Sequence, residues 1–305
     1  MRTLTPARLA AWLAVFAAGL CAVLLVGVAA GPSGLALRDV LDVLREERAA
    51  TAAHDIVFGV RLPRVALGAL VGAALATAGA LFQALLRNPL ADPFVLGVSG
   101  GAAVGGIAAL SFGAALGLGY GAVPPAAFAS AAIVFLASMA GLQEGARIFV
   151  WLIGSLSSAR PELIASVALF LVAGLVCALP AARQLNLLAL GEESAQQLGV
   201  DVTRLQRLLL LATSLMVGAA VSVAGLVGFV GLIIPHLLRL LLGPDHRLLL
   251  PTAALGGAAF LVLCDTAART LFGGRELPVG AITALAGGPL FLWLLRRQQQ
   301  RAFAP

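Results

Sequence analysis

The chain has 305 residues, 61% of them hydrophobic and 11% charged, with a mean hydropathy of +1.02; this composition excludes a water-soluble enzyme and a disordered chain. Its net charge of +6 rests on twenty basic residues, all of them arginine, so a Walker A phosphate loop, Schiff-base chemistry and a lysine-dependent kinase site are excluded as well. The arginines lie between apolar runs rather than on one polar face, which fits the flanks of membrane helices and not a nucleic-acid surface.

A bilayer core about 30 Å thick takes about twenty helical residues, and uncharged stretches of that length follow one another along the chain. Residues 9–37 predict a first span, too long in its apolar part for a signal-peptide core. Residues 65–86 predict a second. The uncharged stretch 93–143 is too long for one crossing and is punctuated by Gly117, Gly119, Gly121, Pro124 and Pro125, which predicts two helices. Spans follow at 163–182, within 208–238, at 248–271 and at 277–295. The run 208–238 is about one and a half membrane thicknesses long and carries Gly225, Gly228 and Gly231 before Pro235, so it reads as two helices meeting at a glycine turn. The segment 148–159 is too short to cross unaided and reads as interfacial or re-entrant. The sum is nine spans and one ambiguous segment in a single all-α domain, with no strand alternation of useful length. The C-terminal Arg296, Arg297 and Arg301 place the end of the last helix in the cytoplasm.

Small residues recur every four positions at Gly68, Gly72, Ala76 and Ala80, and again at Gly97, Gly101 and Gly105. Such stripes let helix backbones approach closely where lipid gives no hydrophobic drive for association. Cys21, Cys177 and Cys264 sit in apolar runs without CxxC or Cys/His spacing, which predicts neither disulfides nor a metal site.

Ionisable residues inside the spans are scarce, and each is a functional candidate. Asp265 has Arg269 four residues on, on the same helix face. The pair is either a proton relay of a secondary transporter or, the favoured reading, a structural ion pair near a helix end. His236, after Pro235, reads as a hydrogen-bonded histidine at a helix end rather than a ligand. No carboxylate pair, Ser/His/Asp grouping or HExxH motif marks a catalytic centre, and nothing in the pattern calls for a cofactor. Two polar segments between helices are more informative: Arg87-Asn88-Pro89-Leu90-Ala91-Asp92-Pro93, and Gly191-Glu192-Glu193-Ser194-Ala195-Gln196-Gln197-Leu198-Gly199. The second predicts a short amphipathic helix bounded by glycines, a shape suited to a groove on a soluble partner.

Together with Arg61-Leu62-Pro63-Arg64, Leu96-Gly97-Val98-Ser99-Gly100-Gly101, Trp151-Leu152-Ile153-Gly154-Ser155-Leu156-Ser157, the stretch from Gly225 to His236 and Glu276-Leu277-Pro278-Val279-Gly280, these segments resemble the FecCD-type permease family. Its members are membrane subunits of ABC importers for vitamin B12, haem and iron–siderophore complexes. The resemblance runs over nearly the whole chain in the family's order. It implies a type II importer bundle in the cell inner membrane, a homodimer with a central pathway, two cytoplasmic ATPase subunits, and an extracytoplasmic substrate-binding protein docking outside. Gly191, Glu192, Ala195, Leu198 and Gly199 match the family's coupling segment, and Arg61 and Arg64 match its external arginines, which pair with acidic residues of the binding protein. The implied function is ATP-driven alternating access for an iron–siderophore or similar metal chelate. Members have ten helices and run longer; here the shortfall lies within 102–150, where only 122–141 is a good span. Either the neighbouring short segment completes a tenth crossing, or a helix and the cytoplasmic loop that contributes to the gate are lost, which would leave a non-transporting remnant.

Overall fold

The computed structural model describes residues 4–35, 37–46, 52–89, 91, 153–157, 159–271 and 276–302. The expected helices within 93–143, the second glycine stripe and the shortfall within 102–150 lie outside them.

Among the described residues the chain is helical and falls into nine elements. They are α1 (Pro6–Ala29), α2 (Leu37–Glu46), α3 (Ala52–Leu85), α4 (Pro161–Leu188), α5 (Glu192–Gln197), α6 (Val202–Ala224), α7 (Val230–Leu242), α8 (His246–Thr270) and α9 (Val279–Ala302). Five of these, α1, α3, α4, α6 and α8, are long and apolar enough to cross a membrane.

The boundaries follow local chemistry. Thr5 caps α1 by accepting the Arg8 amide, and Pro6 takes the first helical position, where its missing N–H is no loss. The expected first span, 9–37, is too long at its end: α1 stops at Ala29, before Gly31-Pro32, and Leu37 opens the separate helix α2. The second span is too short at its start. Helix runs back through Asp55 and Arg61 to Ala52, wound as a π-helix over Asp55–Arg61, because charged side chains do not stop a helix when they find partners. The break within 208–238 falls where the glycines predict it, with Gly225 at φ +68° and Phe229 at φ +69°. Beyond it, however, α7 has only 13 residues, about 20 Å of helix, which does not reach across a bilayer alone.

The described part of the short segment, Ile153–Ser157, is mostly non-helical and packs into that break. The Ser155 amide donates to the Ala224 carbonyl at 2.8 Å, Leu156 is fully buried, and Gly154 lies against the Leu226 carbonyl with φ +83°. An irregular backbone at membrane depth is tolerated where protein buries it.

Whereas α1 packs at the edge of the bundle with its Leu9, Trp12, Phe16 and Leu20 only partly buried against the core, the centre is α3, whose apolar stretch is 83% buried. Its small-residue stripe explains this position. Gly72 and Ala76 face Gly257 of α8, and Gly79 faces the Gly231 carbonyl of α7, each so close that a Cβ on the glycine would overlap backbone. Backbones at this distance gain dispersion contact along the whole crossing, the main source of helix association in lipid. Of the three free cysteines Cys21 is exposed, Cys177 half-buried and Cys264 buried.

Candidate functional site

Polar side chains gather at the two ends of the bundle. At one end meet the C-terminus of α1, the N-terminal half of α3 and the last turn of α8. Arg64 donates from Nε to both Asp265 oxygens (3.0 and 3.2 Å) and from Nη1 to Glu276 Oε2 at 2.9 Å. Arg269 donates from Nε to Asp265 Oδ2 at 2.9 Å and from its other nitrogens to the Gly27 and Ala30 carbonyls. Arg61 donates to the Val28 and Ala29 carbonyls at 2.8 and 2.6 Å and to Ser33 Oγ at 2.7 Å. Two guanidinium groups thus satisfy the last carbonyls of α1, which no helical amide can reach, and set positive charge at the negative end of its dipole. Gly31 makes room for this, since a Cβ there would overlap the Arg61 guanidinium.

Asp265 and Arg269 therefore pair as expected, with Arg64 as a third member that spacing alone could not reveal. Asp265 is 2% exposed and both its oxygens are held by cations. A carboxylate held this way is a structural ion-pair member, the favoured reading, since releasing it to carry a proton would break both pairs. Arg61 and Arg64, which the resemblance matches to the family's external arginines, lie in this same network: both are buried in the single chain and donate to groups within it.

At the other end lie the N-terminus of α1, the C-termini of α3, α4 and α7, the N-terminus of α8 and the connection from α4 to α6. That connection has the expected form. Gly191 turns the chain at φ +117°, α5 follows, and Gly199 turns it again at φ +85°. Both values lie where L side chains are strained, so glycine is required at both ends of α5. Ala195 is fully buried and Leu198 is 59% exposed, so α5 rests on the bundle by its alanine and presents a leucine outward. Glu192 is tied inward: its Oε1 accepts from Arg87 Nη2 at 3.2 Å and from Gln206 Nε2 at 3.4 Å. The first bond joins α5 to the end of α3, and the second joins it to α6.

Two further networks at this end escaped the sequence reading. Gln83 donates to the Gly231 carbonyl and accepts from Arg239, 148 and 156 residues away, a link between α3 and α7 with no local signature. Asn186 donates to Asp245 Oδ1 at 2.8 Å and accepts both the His246 amide and Nδ1. Asp245 also holds Arg247, whose hydrogen bonds bring the Asp245 carboxyl from its usual range down to about 2. The Asp245 position had a legible cue, an Asp after Gly243-Pro244 at a helix start. His236, expected at a helix end, is instead in the middle of α7, partly buried.

The described residues thus form an all-helical bundle with five helices long and apolar enough to cross a membrane and a short glycine-bounded helix at one end. The chain belongs to the FecCD transport family, which matches residues 19–147 and 121–297. It is 44% identical over 285 residues to the cobalamin import system permease protein BtuC of Halobacterium salinarum, covering 82% of this chain and 76% of that one. It is 41% identical over 286 residues to the hemin transport system permease protein HmuU of Yersinia pestis, covering 82% and 86%. A solved structure described as an inward-facing conformation of a metal-chelate type ABC transporter superposes with a TM-score of 0.74 at 30% identity, covering 93% of this chain and 98% of that one. The chain is a multi-pass permease of the inner membrane, of the ABC importer kind. The two family matches overlap over residues 121–147, within the stretch where the sequence falls short.

Proposed function

We propose that this permease carries a metal chelate, an iron–siderophore complex or a related compound such as haem or cobalamin, by alternating access driven by ATP hydrolysis on partner subunits. The substrate class rests on relatives that import cobalamin and hemin and on the metal-chelate type of the superposed transporter. In this reading two copies form the pathway, two cytoplasmic ATPases bind beneath it, and a substrate-binding protein docks on the opposite face.

The observation that carries the coupling role is the geometry of α5. A lever needs a surface for the partner and a stiff link to the moving part. Exposed Leu198 supplies the first, and Glu192, held by α3 and α6, supplies the second. Gly191 and Gly199 set its angle and Ala195 seats it. The test is co-purification with the cognate ATPase and ATP-dependent uptake in liposomes. Leu198→Ala should weaken ATPase binding, and Glu192→Ala should leave binding largely intact while uptake per ATP falls. Unchanged binding and uptake in the double variant would remove α5 from the mechanism.

For the binding protein, Arg61 and Arg64 form the floor of the outer face, and Glu276, with its side chain about half exposed above Arg64, forms its rim. Docking thus depends on the two arginines through the shape they hold. Arg61→Glu and Arg64→Glu should weaken docking at low salt, where surface charges count most, and should destabilise the permease alone. Full docking affinity in a destabilised variant would end their role at this interface.

A further inference from the structure

The end that bears α5 holds a cleft that the coupling reading does not use. One part, about 230 Å³, lies between the ends of α3, α4, α7 and α8 and is lined by Arg87, Arg239 and His246. Ala189 and Pro244 also border a second part of about 620 Å³, walled by Leu4, Leu190, Leu242 and Leu248, with Arg8 and Arg247 at its edge. The two adjoining parts are thus basic in one and largely apolar in the other. Across both linings lie four arginines and one carboxylate, Asp245, which holds Arg247, while Arg87 is paired with Glu192 of α5.

Two groups in the polar half are incompletely satisfied. Arg239 is bonded to Gln83 and has no carboxylate partner among the described residues. Partly buried cations of this kind are stabilised by an anion. His246 is 5% exposed, and its Nε2 has no partner among the described residues. The amide orientation of Asn186 is fixed, because its nitrogen faces the Asp245 carboxylate and its oxygen faces the His246 amide. His246 Nδ1 therefore donates to that oxygen, and Nε2 of the neutral ring is left as an acceptor. An acceptor beside an unpaired guanidinium calls for a ligand with both an anionic oxygen and a hydroxyl, and the leucine wall calls for an apolar tail.

We propose that this cleft binds a hydroxyl-bearing anionic phospholipid of the adjacent leaflet, its phosphate on Arg239, a headgroup hydroxyl on His246 Nε2 and its chains along the leucines. Basic pockets between helix ends at the membrane surface are where anionic headgroups are held. The leucine wall favours a lipid over a soluble phosphate of the same chemistry.

The experiment uses the full-length permease in detergent. Native mass spectrometry and thermal unfolding are followed on adding phosphatidylglycerol, phosphatidylcholine or soluble glycerol 3-phosphate. Phosphatidylglycerol should be retained and should raise the melting temperature, and the other two should do neither. Arg239→Gln should lower phosphatidylglycerol affinity about fivefold or more. Arg8→Gln, at the cleft edge and outside the Gln83–Arg239 network, should lower it by a smaller factor if Arg239→Gln proves too unstable to purify. Equal retention of phosphatidylcholine would overturn the site, and equal protection by glycerol 3-phosphate would make it a site for soluble phosphates. The permease reading is unaffected by either outcome, since uptake is not the readout.

Discussion

Asp265 shows how one carboxylate can decide the architecture of a membrane helix end. It is buried between Arg64 and Arg269, so removing its charge leaves two cations facing each other in a low-dielectric interior. Breaking a buried ion pair by removing one partner costs about 3–5 kcal/mol. Asp265→Asn should show a loss of that order in detergent unfolding, whereas Arg87→Ala, which breaks a half-exposed pair with Glu192, should cost about 1 kcal/mol or less. Asp245 gives a pH-dependent counterpart. Its folded pKa, about 2, lies below its ordinary 3.8, so the stability it contributes is complete above pH 4 and is lost as pH falls toward 2. Wild type should lose stability over that acid window, and Asp245→Asn should be less stable at neutral pH and flatter across it, as measured by unfolding midpoint against pH.

At the scale of the helix, what the sequence made legible was apolar length and punctuation. The break at Gly225, the glycine-bounded α5 and the stripe on α3 are local patterns, and each has its expected place. Contacts between distant segments were not legible, because Gln83 with Arg239 and Arg64 with Asp265 have no shared spacing to read. Charge was also a poor guide to helix ends: Asp55, Arg61 and Arg64 look like a boundary in a hydropathy scan, yet α3 passes through them because Asp55 is exposed and tertiary partners satisfy the two arginines. The stripe itself yields a prediction. At Gly72 and Gly79 any side chain meets backbone of the facing helix, and overpacking of this kind costs about 1–3 kcal/mol or more. Gly72→Val and Gly79→Val should therefore lower the unfolding midpoint in detergent, while Gly218→Ala, at a site with open space, should not.

Across the whole molecule, the two polar ends differ in what they allow. One is locked by ion pairs between α3 and α8 and by hydrogen bonds from their arginines to the end of α1; the other carries an exposed element, α5, fastened to α3 and α6 by a few hydrogen bonds. The central helix α3 joins them, with Arg64 near one end and Gln83 and Arg87 near the other. In the proposed mechanism a shift of α5 would reach the ion-pair network at the opposite end through this one helix. If the permease works this way, reconstituted complex with ATPase and binding protein should take up chelate only with ATP, and a pH gradient alone should drive none. Uptake by the isolated permease under a pH gradient would restore Asp265 as a carrier.

The strapping of α1 also has a consequence for the order in which the protein is made. Its terminal carbonyls are satisfied by Arg61, which follows closely, and by Arg269, which lies 239 to 242 residues downstream. During synthesis α1 therefore enters the bilayer well before its final partner exists, and its end stays partly open to water or headgroups until α8 arrives. A helix inserted long before α8 is thus fastened only when α8 arrives, so chains truncated before α8 should be recognised and degraded as unfinished, with α1 as their loose end.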